Sequence, residues 1–314
     1  MNQIKEDIKD YLEKIIKEEK QAARDGKIPE YIEKVDNEDH GAVSMAMMGL
    51  DGRYVQAGDD EGTFSIQSIS KIISLAVALM DQGEEKVFKH VGKEPTGDPY
   101  HSLSKMELQE DGGPLNPMVN AGAIAVVGQV KGSSVDEKFG RILDLTRKLA
   151  GNDKIDYNPE IVKAEGHDLN RALFYYNRYG GYINEKHDLE DVLPVYWRMT
   201  SIEMNIKELS RIAAVIANYG VDIETGEELI PRDVVRVLKT FMVTCGMYDQ
   251  SGAFAVDVGI PAKSGISGGI MAAIPGRMGI GVLGPDLNEH RNSIAGIRLL
   301  RNISERWNLS LFNQ

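Results

Sequence analysis

Ser68 and Lys71 stand three residues apart in Phe64-Ser65-Ile66-Gln67-Ser68-Ile69-Ser70-Lys71-Ile72-Ile73. A serine hydroxyl is a poor nucleophile by itself and becomes reactive when a base sits beside it. On a helix, residues three apart share a face, so the lysine amine can reach the serine oxygen. A lysine serves as that base only where burial or nearby positive charge lowers its pKa. The residues that follow, from Ile72 to Met80, are apolar apart from Ser74, and a helix apolar all round belongs in a core. Lys71 in its first turns is therefore expected in low-dielectric surroundings. The same spacing recurs at Ser102-Leu103-Ser104-Lys105, between Pro99 and a polar stretch at 107–113. That copy reads as a surface loop or short helix, so the buried context singles out Ser68.

A second lysine–serine group lies near the other end, in Pro261-Ala262-Lys263-Ser264-Gly265-Ile266-Ser267-Gly268-Gly269. Lys263-Ser264-Gly265 resembles the strand triplet that accompanies Ser-x-x-Lys in penicillin-recognising serine enzymes. Other groups carry less. Gly279-Ile280-Gly281-Val282-Leu283-Gly284 fits a dinucleotide fingerprint, but it lies in an expected strand and meets Pro285, not a helix N-terminus. The six histidines show no His-x-x-x-His spacing, and Cys245 stands among apolar residues as a buried, inert thiol. A single cysteine excludes an intrachain disulfide and a Cys-based zinc site, which fits a reducing compartment. No metal or other cofactor is implied.

The elements that must position these groups follow from periodicity. Ile4, Ile8, Leu12, Ile15 and Ile16 recur at helical spacing, so an amphipathic surface helix is expected to end near Gly26. Val43–Leu50 and Arg53–Ala57 flank Asp51-Gly52, which favours a hairpin with a type I′ turn. Ile270–Ile274 and Met278–Leu283 flank Pro275-Gly276 as a second hairpin, and Phe254–Val258 is a further possible strand. Residues 294–307 return to helical spacing. The intervening 81–250 is mostly helical, for example Ile142–Leu149 and Ile206–Ala217. Strands at both ends and helices between predict an antiparallel sheet covered by the terminal helices, with an all-helical insertion. The expected division is 1–66 with 250–314 as the sheet domain and 67–249 as the helical one, the site lying between them.

The chain has 314 residues, of which 42% are hydrophobic and 27% charged, as in ordinary folded proteins. Lys plus Arg number 36 against 48 Asp plus Glu, a net charge of −12 that repels a phosphate backbone, so no nucleic acid partner is expected. No apolar stretch approaches the ~20 residues that span a bilayer. The N-terminus is charged from the start, unlike a signal peptide. A soluble, cytoplasmic protein without membrane association is the expectation.

Five segments carry a family resemblance: Gln67-Ser68-Ile69-Ser70-Lys71, Val91-Gly92-Lys93-Glu94-Pro95-Thr96-Gly97, Asn116 to Ile124, Cys245-Gly246-Met247-Tyr248, and Pro261 to Gly265. Together they resemble the serine-dependent glutaminases, from about Gly26 to Asn313. The resemblance implies a serine β-lactamase-like α/β (α+β) fold, hydrolysis of L-glutamine to L-glutamate and ammonia, and a homo-oligomer, dimer or tetramer. It implies Ser68 as nucleophile, Lys71 as its base, and Tyr248 and Tyr196 as active-site tyrosines, with Tyr248 helping to protonate the departing ammonia. The backbone N–H groups of Ile266 and Ser68 would form the oxyanion hole. Tyr31, Gln67, Asn120, Glu165 and Asn170 would complete the substrate site, Glu165 pairing the α-ammonium and neutral donors holding the carboxylate.

The sequence departs from the family in two places. About two residues are missing after Tyr31-Ile32, and about two between Glu165 and Asn170. An alternative alignment would put Lys163 in place of Glu165, with the wrong charge beside an ammonium. Keeping Tyr157-Asn158-Pro159-Glu160-Ile161 in register favours Glu165.

Overall fold

The computed structural model describes residues 2–23, 26–36, 41–59, 62–97, 113–164, 167–184 and 186–313. Its frame is a five-stranded antiparallel sheet in the order β2-β1-β7-β6-β5. The strands are β1 (Ser44–Gly49), β2 (Tyr54–Gly58), β5 (Ala262–Ser264), β6 (Gly269–Ile274) and β7 (Met278–Leu283). The first two come from the N-terminal part of the chain and the last three from the C-terminal part. A separate pair, β3 (Phe64–Ser65) and β4 (Glu203–Met204), lies outside the main sheet.

Alternation along the strands sorts the sheet's two faces. Met45, Met47, Ile270, Ala272, Ile274, Ile280 and Val282 face one apolar cluster with Leu12, Ile15, Ile16, Leu299, Leu300 and Ile303. Those partners come from the terminal helices, α1 (Asn2–Ala23) and α13 (Ile294–Trp307). Each such Leu or Ile contributes about 1.5–3 kcal/mol when fully buried. Ala46, Met271, Ala273 and Leu283 face the opposite cluster.

On that opposite face lies α10 (Ile206–Ala217), packed against β1, β6 and β7. Asn205 caps it: the Asn205 side chain accepts from Glu208 N at 2.9 Å, and the Glu208 carboxylate accepts from Asn205 N at 2.8 Å. The glycines of the false dinucleotide fingerprint explain the close approach. A Cβ at Gly279 would lie 2.0 Å from Ala214 N, so only glycine lets this helix rest directly on β7.

The remaining helices are α2 (Glu30–Asp36), α3 (Ser70–Gln82), α4 (Glu84–Val87), α5 (Asn120–Gly128), α6 (Val135–Ala150), α7 (Pro159–Ala164), α8 (Asp168–Tyr179), α9 (Leu189–Thr200), α11 (Arg232–Thr244) and α12 (Ser251–Asp257). Buried α3 is the hub: α4, α5, α6, α9 and α11 all pack on it. Among the described residues no helix is long and apolar enough to cross a membrane.

Two local expectations change. The turn at Asp51-Gly52 is not type I′. Gly52 N–H donates to Gly49 O at 3.0 Å, and among these turn residues Gly52 alone takes positive φ (75°). The loop is thus one residue longer, with the left-handed glycine closing it. Phe254–Val258 is not a strand, because α12 occupies it. A strand would put residues 254, 256 and 258 on one face, whereas Phe254 and Val258 are buried and Val256 is 86% exposed. The strand preceding the second hairpin is instead β5, which carries Lys263-Ser264. Ser102 and its neighbours lie outside the described residues.

Candidate active site

Ser68 stands in a 3-10 turn, Gln67–Ile69, that leads into α3. It does not begin the α-helix itself, which starts at Ser70. The turn is anchored from behind: Ile66 N–H donates to Ile202 O at 2.9 Å, and β3 pairs with β4 just before it. Within the turn, the Ser70 hydroxyl donates to Gln67 O at 2.7 Å. Gln67 takes φ 47°, a left-handed conformation rare for a residue with a side chain. Such strain persists only where surrounding structure enforces it, and it gathers at functional sites. Here the Gln67 amide donates to Ser65 Oγ at 3.1 Å, and its oxygen accepts from the Tyr31 hydroxyl at 3.3 Å.

Ser68 is 7% exposed and Lys71 1%. The Lys71 amine donates to Asn120 Oδ1 at 2.6 Å and to Met118 O at 3.0 Å. These acceptors are placed by Asn116, whose side-chain oxygen accepts from Met118 N (2.9 Å) and Val119 N (3.3 Å), shaping the chain as it enters α5. Asn120, the first residue of α5, thereby joins Lys71.

The opposite wall is β5 with the segment before α12. Lys263 is fully buried, and its amine donates to Ser264 O at 2.6 Å and Gly246 O at 3.1 Å. It also lies 4.3 Å from the centre of the Tyr248 ring. Burial, and secondly the charge of Lys71, push the Lys263 amine well below the usual lysine range. Two buried amines within electrostatic reach of each other resist carrying two protons. Tyr248 takes φ 54°, a second left-handed residue with a side chain, and its hydroxyl donates to Ser264 O at 3.3 Å. Cys245 is buried as expected. Burial raises its thiol pKa, while a bond to Thr244 and the charge of Lys263 act the other way.

After β5 the chain turns through Gly265 and Ile266, closed by Gly265 N–H to Gly269 O at 2.9 Å and Gly268 N–H to Gly265 O at 3.0 Å. A Cβ at Gly265 would stand 2.6 Å from Ile66 O. The missing side chain lets this turn press against the segment carrying Ser68, and the next residue, Ile266, is half-buried.

Tyr196 is buried on α9, which packs against the 3-10 turn of Ser68. Asn170 is buried on α8, which packs on α5 through contacts that include Asn177 Nδ2 to Ala121 O at 2.8 Å. Among the described residues, its side chain makes no hydrogen bond to the other named groups. Glu165 lies outside the described residues. Lys163 is exposed on α7, paired with Glu160 at 2.6 Å.

Three contributors escaped the sequence reading as parts of the site. Asn116 sits in a quoted motif, and its position before Pro117 and a helix signals a turn that supplies acceptors. Lys263 stood out for its triplet, but its place beneath the Tyr248 ring is tertiary. Asn292 left no local signal: it donates to Met247 O at 3.1 Å and to Gln250 Oε1 at 3.0 Å, bracing the strained Tyr248 turn from 42 residues away.

Residues 26–312 match the glutaminase family model. A glutaminase of Shouchella clausii is 50% identical over 305 residues, covering 96% of this chain and 98% of that protein. The crystal structure of a Bacillus glutaminase in 4.3 M NaCl matches with a TM-score of 0.89 at 33% identity, covering 96% of this chain and 99% of that one. A Bacillus subtilis glutaminase in covalent complex with 5-oxo-L-norleucine, formed by reaction with 6-diazo-5-oxo-L-norleucine, matches with a TM-score of 0.86 at 32% identity, covering 97% of this chain and 99% of that one.

Proposed function

Because the chain belongs to the glutaminase family, we propose that it hydrolyses L-glutamine to L-glutamate and ammonia through an acyl-enzyme on Ser68. The observation that carries this reading is the buried Lys71 amine just after Ser68, held by Met118 O and Asn120 Oδ1. A neutral amine has two N–H groups and one lone pair. In its neutral form Lys71 donates to those two acceptors, and its lone pair takes the Ser68 proton. The serine oxygen then attacks the side-chain amide carbon of glutamine.

The tetrahedral oxyanion is held by the backbone N–H groups of Ser68 and Ile266. The proton taken by Lys71 passes by way of Tyr248 to the departing nitrogen, the C–N bond breaks, and ammonia leaves. Water, deprotonated by the same groups, attacks the ester and releases glutamate. Lys263 keeps Tyr248 in place, and its crowding with Lys71 disfavours a second proton in the site. Tyr31, Gln67, Asn120, Asn170, Tyr196 and Tyr248 line the substrate, and Glu165 pairs its ammonium. Residues 1–66 with 250–314 form a sheet lobe and 67–249 a helical lobe, so that Ser68 and Tyr248 stand at the two crossings between them. The protein works in the cytoplasm as a homo-oligomer, without a cofactor.

The test is ammonia release from glutamine and asparagine, with ring opening of a β-lactam measured alongside. Turnover is expected with glutamine above the other two. No release from glutamine, or faster β-lactam opening, overturns the reading.

A further inference from the structure

A cavity of about 710 Å3 lies behind β5, away from Ser68. Arg232, Arg236 and Lys239, on successive turns of α11, reach into it beside Tyr219. Three cations around one cavity are notable in a chain of net charge −12. Arg236 is paired with Glu84 at 3.0 Å. Arg232 and Lys239 have no carboxylate within ion-pair distance among the described residues. They lie instead against one aromatic ring, 4.5 and 4.3 Å from the Tyr219 centroid. Burial, and secondly the charge of Arg232, lower the Lys239 pKa, so the two cations meet without compensation. Tyr219 itself is held at φ 59°. The rest of the wall includes Val243, Pro261, Pro275 and Leu311, with Asp233 as its acidic member.

We propose that this cavity binds a small monoanionic carboxylate with an apolar body, its head between Arg232 and Lys239 and its body against Val243, Pro261 and Leu311. The charge balance sets the class. Arg236 is engaged by Glu84, which it shares with Lys93 at 3.3 Å, so the cations left to the cavity are Arg232 and Lys239 against the single acid Asp233, an excess that suits a carboxylate head. The apolar wall selects against small hydrophilic anions, which gain nothing from it. Glutamate has no apolar body and is not the ligand of this site. The proposal is independent of the reaction assigned to Ser68.

The experiment titrates the full chain calorimetrically with 1-naphthoate, with its neutral counterpart 1-naphthamide and with acetate. The same titrations are made on the double variant Arg232→Gln/Lys239→Gln, whose folding is checked by circular dichroism and by unchanged glutamine turnover. Saturable naphthoate binding is expected. The naphthamide, acetate and the double variant should each bind about tenfold more weakly or worse, the scale of one lost charge-assisted hydrogen bond. Naphthoate binding should also survive saturating glutamate. The absence of saturable binding, equal affinity for the amide, undiminished binding by the double variant, or displacement by glutamate each overturns the site.

Discussion

The proposed site has two ends built from different material. At the reacting end, Ser68, Lys71, Tyr248 and Lys263 are all buried, and each is held by elements packed into the core or into the sheet. Two left-handed residues, Gln67 and Tyr248, are kept there by hydrogen bonds from several directions. Of the proposed amino-acid end, Asn170 is buried on the twelve-residue α8, whereas Tyr31 rests on a short surface element. Tyr31 sits half-buried on the seven-residue α2, which packs against the six-residue α7, and its hydroxyl reaches Gln67 at 3.3 Å. Reaction chemistry demands positions accurate to fractions of an ångström, and a close-packed core supplies that accuracy. Holding an ammonium and a carboxylate demands mainly charge and donors, which short surface segments can provide with more latitude.

Substitutions separate the two ends. Ser68→Ala should have the largest effect, lowering kcat by roughly 10⁴-fold or more, as loss of a nucleophile does elsewhere. Ser102→Ala, the second copy of the motif, should leave kcat within about twofold, and equal losses from the two would end the assignment of Ser68. Tyr248→Phe keeps the ring over Lys263 but removes the hydroxyl, so kcat should fall by about 10²- to 10⁴-fold, the range for a lost proton-transfer group. A change confined to KM would make Tyr248 a binding group only.

At the other end, Glu165→Gln should lower kcat/KM for glutamine by about 10- to 150-fold, the worth of one charge-assisted hydrogen bond. The des-amino analogue should feel little of this, having no ammonium. Equal losses with both substrates would falsify the pairing. Lys163→Ala should change kcat/KM by less than about twofold, since its amine is exposed and engages Glu160 at the surface. A gain in glutamine use would instead place Lys163 in the ligand position and restore the alternative alignment.

The smallest effect expected is on stability. The Lys263 pKa lies below its ordinary value of 10.5, chiefly through burial. In the unfolded chain this amine binds a proton below about 10.4 that the folded chain resists, so its stability cost grows as pH falls from there and levels off below the folded pKa. Lys263→Met removes that cost. Its two carbonyl acceptors keep partners, since Gly246 O also accepts from Ser264 N at 3.2 Å and Ser264 O from the Tyr248 hydroxyl. The variant should therefore melt above the parent at pH 7 and approach it near pH 10.5. A gap that stays constant across this range would show that Lys263 is protonated alike in both states. Activity of the same variant sharpens the contrast between the ends: loss is expected in kcat, not in KM.

Much of this molecule was legible from local pattern. The terminal helices and both hairpins follow from spacings of three to four and of two, because each element buries one face against the sheet and must repeat its apolar residues accordingly. Helix 294–307 stands where its spacing put it. Ser68 and Lys71 stood out because a lysine beside a uniformly apolar run is costly unless something uses it. Periodicity over five residues failed at Phe254–Val258, where an apolar residue between two others looks the same in a strand and in a helix, and only the exposure of Val256 tells them apart.

What the chain could not disclose by itself is distance. Lys263 and Lys71 are 192 positions apart, yet folding brings them close enough for each to oppose the other's charge. Gly265 shows no reason for being glycine until the Ile66 carbonyl lies where its side chain would be. Asn292 becomes a brace for Tyr248 only once the segment after β7 folds back on the one before α12. Residue type and spacing determine which groups are able to react and which elements carry them, since propensity and amphipathicity are local. Their mutual placement, and so the charge state and strain on which the chemistry depends, arises from packing between remote segments and exists only in the tertiary structure.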